Sequence, residues 1–126
     1  MGQLAIVGST EFPERDSMQF ARWLIVGAIT DLEPDKVISG GAEGIDTLAE
    51  KTAVALGYTE ADGTMVVHRP KFRRWEPDGF KARNVLIAKD CTHLLRIYRP
   101  GSKTYGSGWT ADYAERIGRK VWRVPL

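Results

Sequence analysis

Ser39-Gly40-Gly41-Ala42-Glu43-Gly44-Ile45-Asp46 is the stretch that decides the fold. A short apolar run, Val37 to Ser39, leads into it and reads as a strand. Ile45, Leu48, Ala49, Thr52, Ala53 and Leu56 follow at i, i+3, i+4, i+7, i+8 and i+11, the signature of a helix over Asp46 to Leu56 with one apolar face. Gly57 is its stop signal. Strand, glycine-rich turn and amphipathic helix make the opening of a βαβ unit. Glycines let the backbone turn tightly and approach a ligand. The N–H groups at the helix start then face an anion, and Asp46 is a good N-cap. The spacing is neither G-x-G-x-x-G nor G-x-x-x-x-G-K-[ST], so neither the dinucleotide nor the P-loop fingerprint is present.

Outward from this stretch the alternation continues in both directions. Gln3 to Val7 reads as a first strand ending at Gly8-Ser9-Thr10, whose hydroxyls and N–H groups suit a phosphate or a ribose edge. Asp16 to Thr30 has helical spacing, with Phe20, Trp23, Leu24, Gly27 and Ala28 predicted on one face. Downstream, Thr64 to Val67 is a strand, and Gly79 to Lys89 a helix whose apolar face is marked by Ala82, Val85 and Leu86. Thr92 to Tyr98 is a strand, Arg99 to Gly108 a glycine-rich loop, Thr110 to Ile117 a helix, and Lys120 to Val124 a last strand. Such alternation predicts an α/β, Rossmann-like, three-layer fold in one domain over 1–126, with a mainly parallel sheet and helices on both faces. Ligands of such sheets sit at the carboxyl ends of the strands, where every glycine-rich segment here falls.

Composition narrows the classes. The chain has 126 residues, 43% of them hydrophobic and 27% charged, enough for a real core. Cys91 is the single cysteine, so no internal disulfide exists and a reducing, cytoplasmic setting is expected. The longest apolar run, Leu24 to Ile29, is far too short for a bilayer, so no membrane association is expected. His68, Cys91 and His93 lack metal-ligand spacing. The net charge is only +2, yet His68 to Arg83 carries Arg69, Lys71, Arg73, Arg74, Lys81 and Arg83 against Glu76 and Asp78. That focused positive segment predicts an anionic partner.

Two further segments carry chemistry. Arg83-Asn84 offers a bidentate fork and an amide beside these loops. Gly106-Ser107-Gly108-Trp109-Thr110 precedes the last helix and repeats the logic of the first glycine-rich loop, with Trp109 placed to stack on a base or fill the core. The excess of apolar residues around the first helix, from Met18 to Ile29, predicts a homo-oligomer.

Taken in order, Ser39 to Ala49, Arg83-Asn84 heading a helix, and Gly106-Ser107-Gly108-Trp109-Thr110-Ala111 resemble the SLOG superfamily, and within it the small cpYpsA-related members. That group joins the DprA (Smf) DNA-processing proteins with the LOG phosphoribohydrolases. The resemblance implies a Rossmann-like sheet and a site for nucleotides, nucleotide-derived signals or nucleic acid. It implies ligand contacts from Gly8, Ser9, Thr10, Gly40, Gly41, Ala42, Glu43, Gly44, Asp46, Arg83, Asn84 and Gly106 to Thr110. No cofactor is implied beyond the nucleotide-like ligand itself. LOG enzymes carry Pro-Gly-Gly-x-Gly-Thr-x-x-Glu with a catalytic Glu. Tyr113 stands at that Glu position here, which leaves neighbouring Asp112, with Glu43 and Asp46, as the candidate carboxylates in the motif loops for N-glycosidic hydrolysis of nucleoside monophosphates. A third reading is single-strand nucleic-acid binding, with Arg69, Lys71, Arg73 and Arg74 on phosphates and Phe72 and Trp75 on bases.

Overall fold

The computed structural model describes residues 2–11, 15–101 and 105–126. Residues 102–104, part of the expected 99–108 loop, lie outside them. Strands β1 (Gln3–Gly8), β2 (Lys36–Ser39), β3 (Met65–Val67), β4 (His93–Tyr98) and β5 (Lys120–Pro125) alternate with helices α1 (Arg15–Leu32), α2 (Ile45–Ala55), α3 (Phe80–Asp90) and α4 (Tyr105–Arg116). The five strands form one sheet in the order β3-β2-β1-β4-β5, and every pair is parallel. β1 is central, pairing with β2 through Leu4 and Val37 and with β4 through Ile6 and Leu95. The strand order reverses at β1, so the crevice between β1 and β4 is the switch point of the sheet.

Alternation of side chains along β1 splits the core in two. Leu4 and Ile6 pack with Ala21, Ile25 and Ile29 of α1 and Ile45, Ala49 and Ala53 of α2. Ala5 and Val7 pack on the opposite face with Ile87 and Ala88 of α3 and Ala111 and Ala114 of α4. Burial of these apolar faces on both sides of the sheet is the main favourable term holding the layers together.

Three helices differ from their sequence expectation. The buried stripe of α1 is Ala21, Ile25 and Ile29, while Phe20 and Trp23 point to solvent. This helix carries two apolar stripes, and only one can face the sheet. In α3 the buried residues are Asn84, Ile87 and Ala88, with Leu86 exposed. A buried polar Asn84 hides the true period, and apolar residues facing outward imitate it. α4 begins at Tyr105, so Gly106 to Thr110 is not a loop before a helix but its first turns. No helix among the described residues is long and apolar enough to cross a membrane.

Candidate functional site

The loops after β1 and β2 and the starts of α3 and α4 meet at the carboxyl edge of the sheet, over the switch point. They line a small, half-open pocket of about 90 Å³. Its floor is Val7, Gly8 and Ile87, and its walls carry Thr10, Asp46, Arg83, Asn84, Ser107 and Thr110. Thr10, Ala42, Arg83, Asn84 and Gly106 also border a wider cavity of about 750 Å³. That cavity is framed by Arg69, Arg73, Trp75 and Phe80. The two therefore form one cleft, a narrow polar end opening onto a basic and aromatic shelf.

Asp46 shapes the narrow end. It is not the N-cap; Gly44 holds that position with φ of 76° and no side-chain cap. Asp46 lies one residue inside the helix and its carboxylate turns back into the loop. There it accepts hydrogen bonds from the Gly40 N–H at 3.2 Å and the Ala42 N–H at 3.3 Å. The Gly41 N–H donates to the Ser39 hydroxyl at 3.4 Å, and the Ile45 N–H to the Ser9 carbonyl at 3.1 Å. The first glycine-rich loop thus spends these donors internally, and the protein's own carboxylate occupies the anion position that its N–H groups create. Burial raises the Asp46 pKa to about 6, against the lowering effect of the Ala42 hydrogen bond and the Arg83 charge.

Glycine is required at Gly44 and favoured at Gly40, for separate reasons. At Gly44 the backbone is left-handed and a Cβ would strike the Ser9 and Thr10 carbonyls. At Gly40 a Cβ would stand 2.8 Å from the Asp46 carboxylate and 2.9 Å from the Arg83 guanidinium. The close approach of the Gly40 backbone to these two side chains is what makes the pocket small.

Arg83 bridges the two ends of the cleft. Its Nη1 donates to the Gly40 carbonyl, and its Nε donates to Asn84 Oδ1 at 2.7 Å. Desolvation lowers the guanidinium pKa, and Asp46 offsets part of that. Asn84 is buried, and its Nδ2 donates to the Gly106 carbonyl at 3.4 Å, tying α3 to α4. The Thr110 hydroxyl donates to the same carbonyl at 2.8 Å. Arg96 of β4 donates to the Ser107 hydroxyl at 3.1 Å and fixes the first turn of α4 from behind.

The structure therefore gathers Gly8, Thr10, Gly41, Ala42, Glu43, Asp46, Arg83, Asn84, Gly106, Ser107 and Thr110 around one cleft, with the Gly40 backbone against it. Ser9 plays a structural part instead. Its hydroxyl accepts from the Arg99 N–H at 2.9 Å and its carbonyl receives Ile45. Gly44 holds the loop and Gly108 packs on Arg96; neither lines the cleft. Trp109 stacks on Tyr113 at 5.3 Å and meets Trp75 edge-on at 5.3 Å, so it supports the shelf from outside. Asp112 is the outlier. It lies well inside α4, its side chain is 74% exposed, and it pairs with Arg123 at 3.0 Å. The carboxylate in the narrow pocket is Asp46. Phe80, missing from the sequence reading, closes the shelf beneath Arg83 at 5.5 Å. Its position directly after Gly79 at a helix start was the available signal. Cys91 is buried and its thiol is pushed up to about 11, which removes it as a nucleophile.

No family model matches the sequence, and no curated protein is similar to it in sequence. Among solved structures, the chain is similar to DNA processing protein A (DprA) from Streptococcus pneumoniae, with a TM-score of 0.53 and 18% identity. The match covers 97% of this chain and 58% of that one. At that identity the likeness is one of fold: this chain has the Rossmann-like α/β architecture found in DprA.

Proposed function

We propose that this protein binds a nucleotide or a nucleotide-derived, phosphate-bearing small molecule in the cleft over the β1–β4 switch point, in the manner of the small cpYpsA-related SLOG proteins that its motifs resemble. The observation that carries the reading is the division of the cleft. A narrow polar end of about 90 Å³ with Arg83, Thr10 and Ser107 suits a phosphate. A shelf with Arg69, Arg73, Trp75 and Phe80 suits a flat ring and further negative charge. The wide part, at about 750 Å³, lies within the range of small-molecule sites. Because Asp46 occupies the donors of the first loop, the phosphate belongs on the opposite wall, against Arg83 and the first turn of α4, where the helix dipole favours it.

A second reading has one specific support. Phe72, beneath Lys71 and Arg74, and Trp75 on the shelf combine rings with cations, the pattern used for single-stranded nucleic acid. The structural neighbour, a DNA processing protein, points the same way. Hydrolysis of an N-glycosidic bond ranks last, because Asp112 is tied to Arg123 away from the cleft and the Asp46 carboxylate is turned onto the Gly40 and Ala42 N–H groups.

Mass spectrometry of the protein denatured after gentle purification tests the first reading. Release of a nucleotide-like phosphate ester from wild type, and not from Arg83→Ala, is expected. The second reading predicts instead oligonucleotide binding whose affinity falls with salt at a log–log slope of about −0.7 per phosphate contact.

A further inference from the structure

The donors and acceptors of the narrow pocket do not balance for a phosphate alone. An arginine side chain has five N–H donors. In Arg83 the Nε donor goes to Asn84 Oδ1 and one Nη1 donor to the Gly40 carbonyl. Among the described residues its other three have no acceptor, and the Thr10 hydroxyl has no partner. A phosphate on this wall, an acceptor at every oxygen, satisfies them.

Asp46 is the exception. It is 5% exposed, and its Oδ2 accepts both loop bonds, from Gly40 and Ala42. Among the described residues Oδ1 accepts none. Nor is Oδ1 sealed in the core. No fully buried side-chain oxygen or nitrogen of the described residues lacks a partner, so Oδ1 reaches the pocket that Asp46 lines.

A carboxylate oxygen left unpaired there is costly, and more so once an anion is seated beside it. The charges acting on Asp46 are Arg83 from α3, which favours the ionised form, and Glu50 from its own helix, which opposes it. With a pKa of about 6, the free protein carries Asp46 mainly as a carboxylate above neutral pH, an acceptor and not a donor. The group against Oδ1 therefore brings a hydrogen. A doubly ionised phosphate ester has none to give. A ring on the shelf lies too far out, because Asp46 lines the narrow pocket and does not border the wide cavity. In a nucleotide the part between phosphate and ring is the sugar, and its donors are hydroxyls.

We propose that Asp46 is a specificity-determining residue that reads the sugar: its free Oδ1 accepts a hydrogen bond from a hydroxyl of a ribose whose phosphate is held by Arg83. The inference rests on the nucleotide reading above and narrows it to ligands with an intact 2′,3′-diol. The fold holds the reader in place, since two backbone donors fix Oδ2 and leave Oδ1 turned to the pocket. A site that bonds a substrate hydroxyl discriminates strongly, because the analogue lacking it leaves the buried acceptor unpaired.

Titration calorimetry at pH 8 with the four common ribonucleoside 5′-monophosphates and their 2′,3′-dideoxy counterparts tests it, on wild type and Asp46→Asn. In the variant the amide oxygen keeps the two loop bonds, and the amide nitrogen, a donor, faces the pocket. Wild type is expected to bind at least one ribonucleotide roughly tenfold or more tighter than its dideoxy form. Asp46→Asn is expected to bring that ratio below about threefold, chiefly by binding the dideoxy form better than wild type does, since a donor replaces a repelling carboxylate. An aspartate that only supports the loop gives a different result: both forms weaken together and the ratio holds. Equal binding of the two forms by wild type, or an unchanged ratio in Asp46→Asn, overturns the inference and leaves the nucleotide reading standing. Binding of neither form by wild type contradicts the nucleotide reading itself, and the inference falls with it.

Discussion

The two glycine-rich helix starts look alike in sequence and differ in structure. In Gly40 to Asp46 the glycines are dictated by the fold: Gly44 is left-handed against two carbonyls, and Gly40 touches Asp46 and Arg83. In Gly106 to Thr110 they sit inside the first turns of α4, where Gly108 packs on Arg96 but a Cβ on Gly106 would meet only Asn84 Nδ2, at 3.8 Å. One loop is closed on its own carboxylate; the other keeps a small residue facing the cleft without a steric reason of its own. Glycine thus marks internal packing at the first site, and at Gly106 of the second it leaves room that the proposed ligand would use.

The strongest break of this comparison is Gly44→Ala. Left-handed strain and collision with the Ser9 and Thr10 carbonyls act together. Urea unfolding should show a loss of about 3–5 kcal/mol. A loss below about 1 kcal/mol would remove the claim that the first loop is internally determined.

Asp46 gives the next effect. Its folded pKa of about 6 lies above the ordinary 3.8, so its contribution to stability is complete below pH 3.8 and is lost as pH rises through about 6. The gap corresponds to about 3 kcal/mol. Asp46→Asn should lack that loss, so its stability relative to wild type should rise by about this amount between pH 4 and pH 7, read from unfolding curves at both. A phosphate seated nearby also raises this pKa, so ligand binding should take up a proton near pH 6 in wild type beyond any taken up by Asp46→Asn. Parallel stability curves for the two proteins would show that Asp46 titrates as an ordinary carboxylate.

Arg83→Ala should weaken ligand binding by about 1.5–3 kcal/mol, or roughly tenfold to 150-fold, by titration calorimetry. Gly106→Ala is the smallest and most discriminating change. It should stabilise the protein by about 0.5–1 kcal/mol through helix propensity and yet reduce ligand affinity, because the methyl enters the side of the cleft. A variant that gains stability and keeps full affinity would place the ligand away from α4.

How much of this was legible in the chain differs by element for physical reasons. α2 was readable because Ile45, Leu48, Ala49, Thr52 and Ala53 follow one uninterrupted period and all turn toward the core. The spacing in α1 points to the wrong stripe because its second apolar face, Phe20 and Trp23, competes with Ala21, Ile25 and Ile29. In α3 a buried Asn84 broke the pattern at the residue that matters most for the site. The site's members were largely visible as glycines, hydroxyls and the Arg83-Asn84 pair. Their division of labour was not, because no pattern in sequence shows a carboxylate turning back to satisfy the loop before it. The shelf was visible only as charge, since Arg69, Arg73 and Trp75 lie in a segment with no periodicity, and Phe80 looked like a plain helix start.

The central claim is a phosphate held between Arg83 and the start of α4. Amide chemical-shift mapping with a nucleoside monophosphate, its parent nucleoside and inorganic phosphate tests it most directly. The account predicts that the nucleotide shifts Gly106, Ser107 and Arg83 amides together with shelf residues, that phosphate alone shifts only the first group, and that Arg83→Ala abolishes both. Shifts confined to the Gly40 to Gly44 loop, or a nucleoside that binds as well as its phosphate ester, would contradict it.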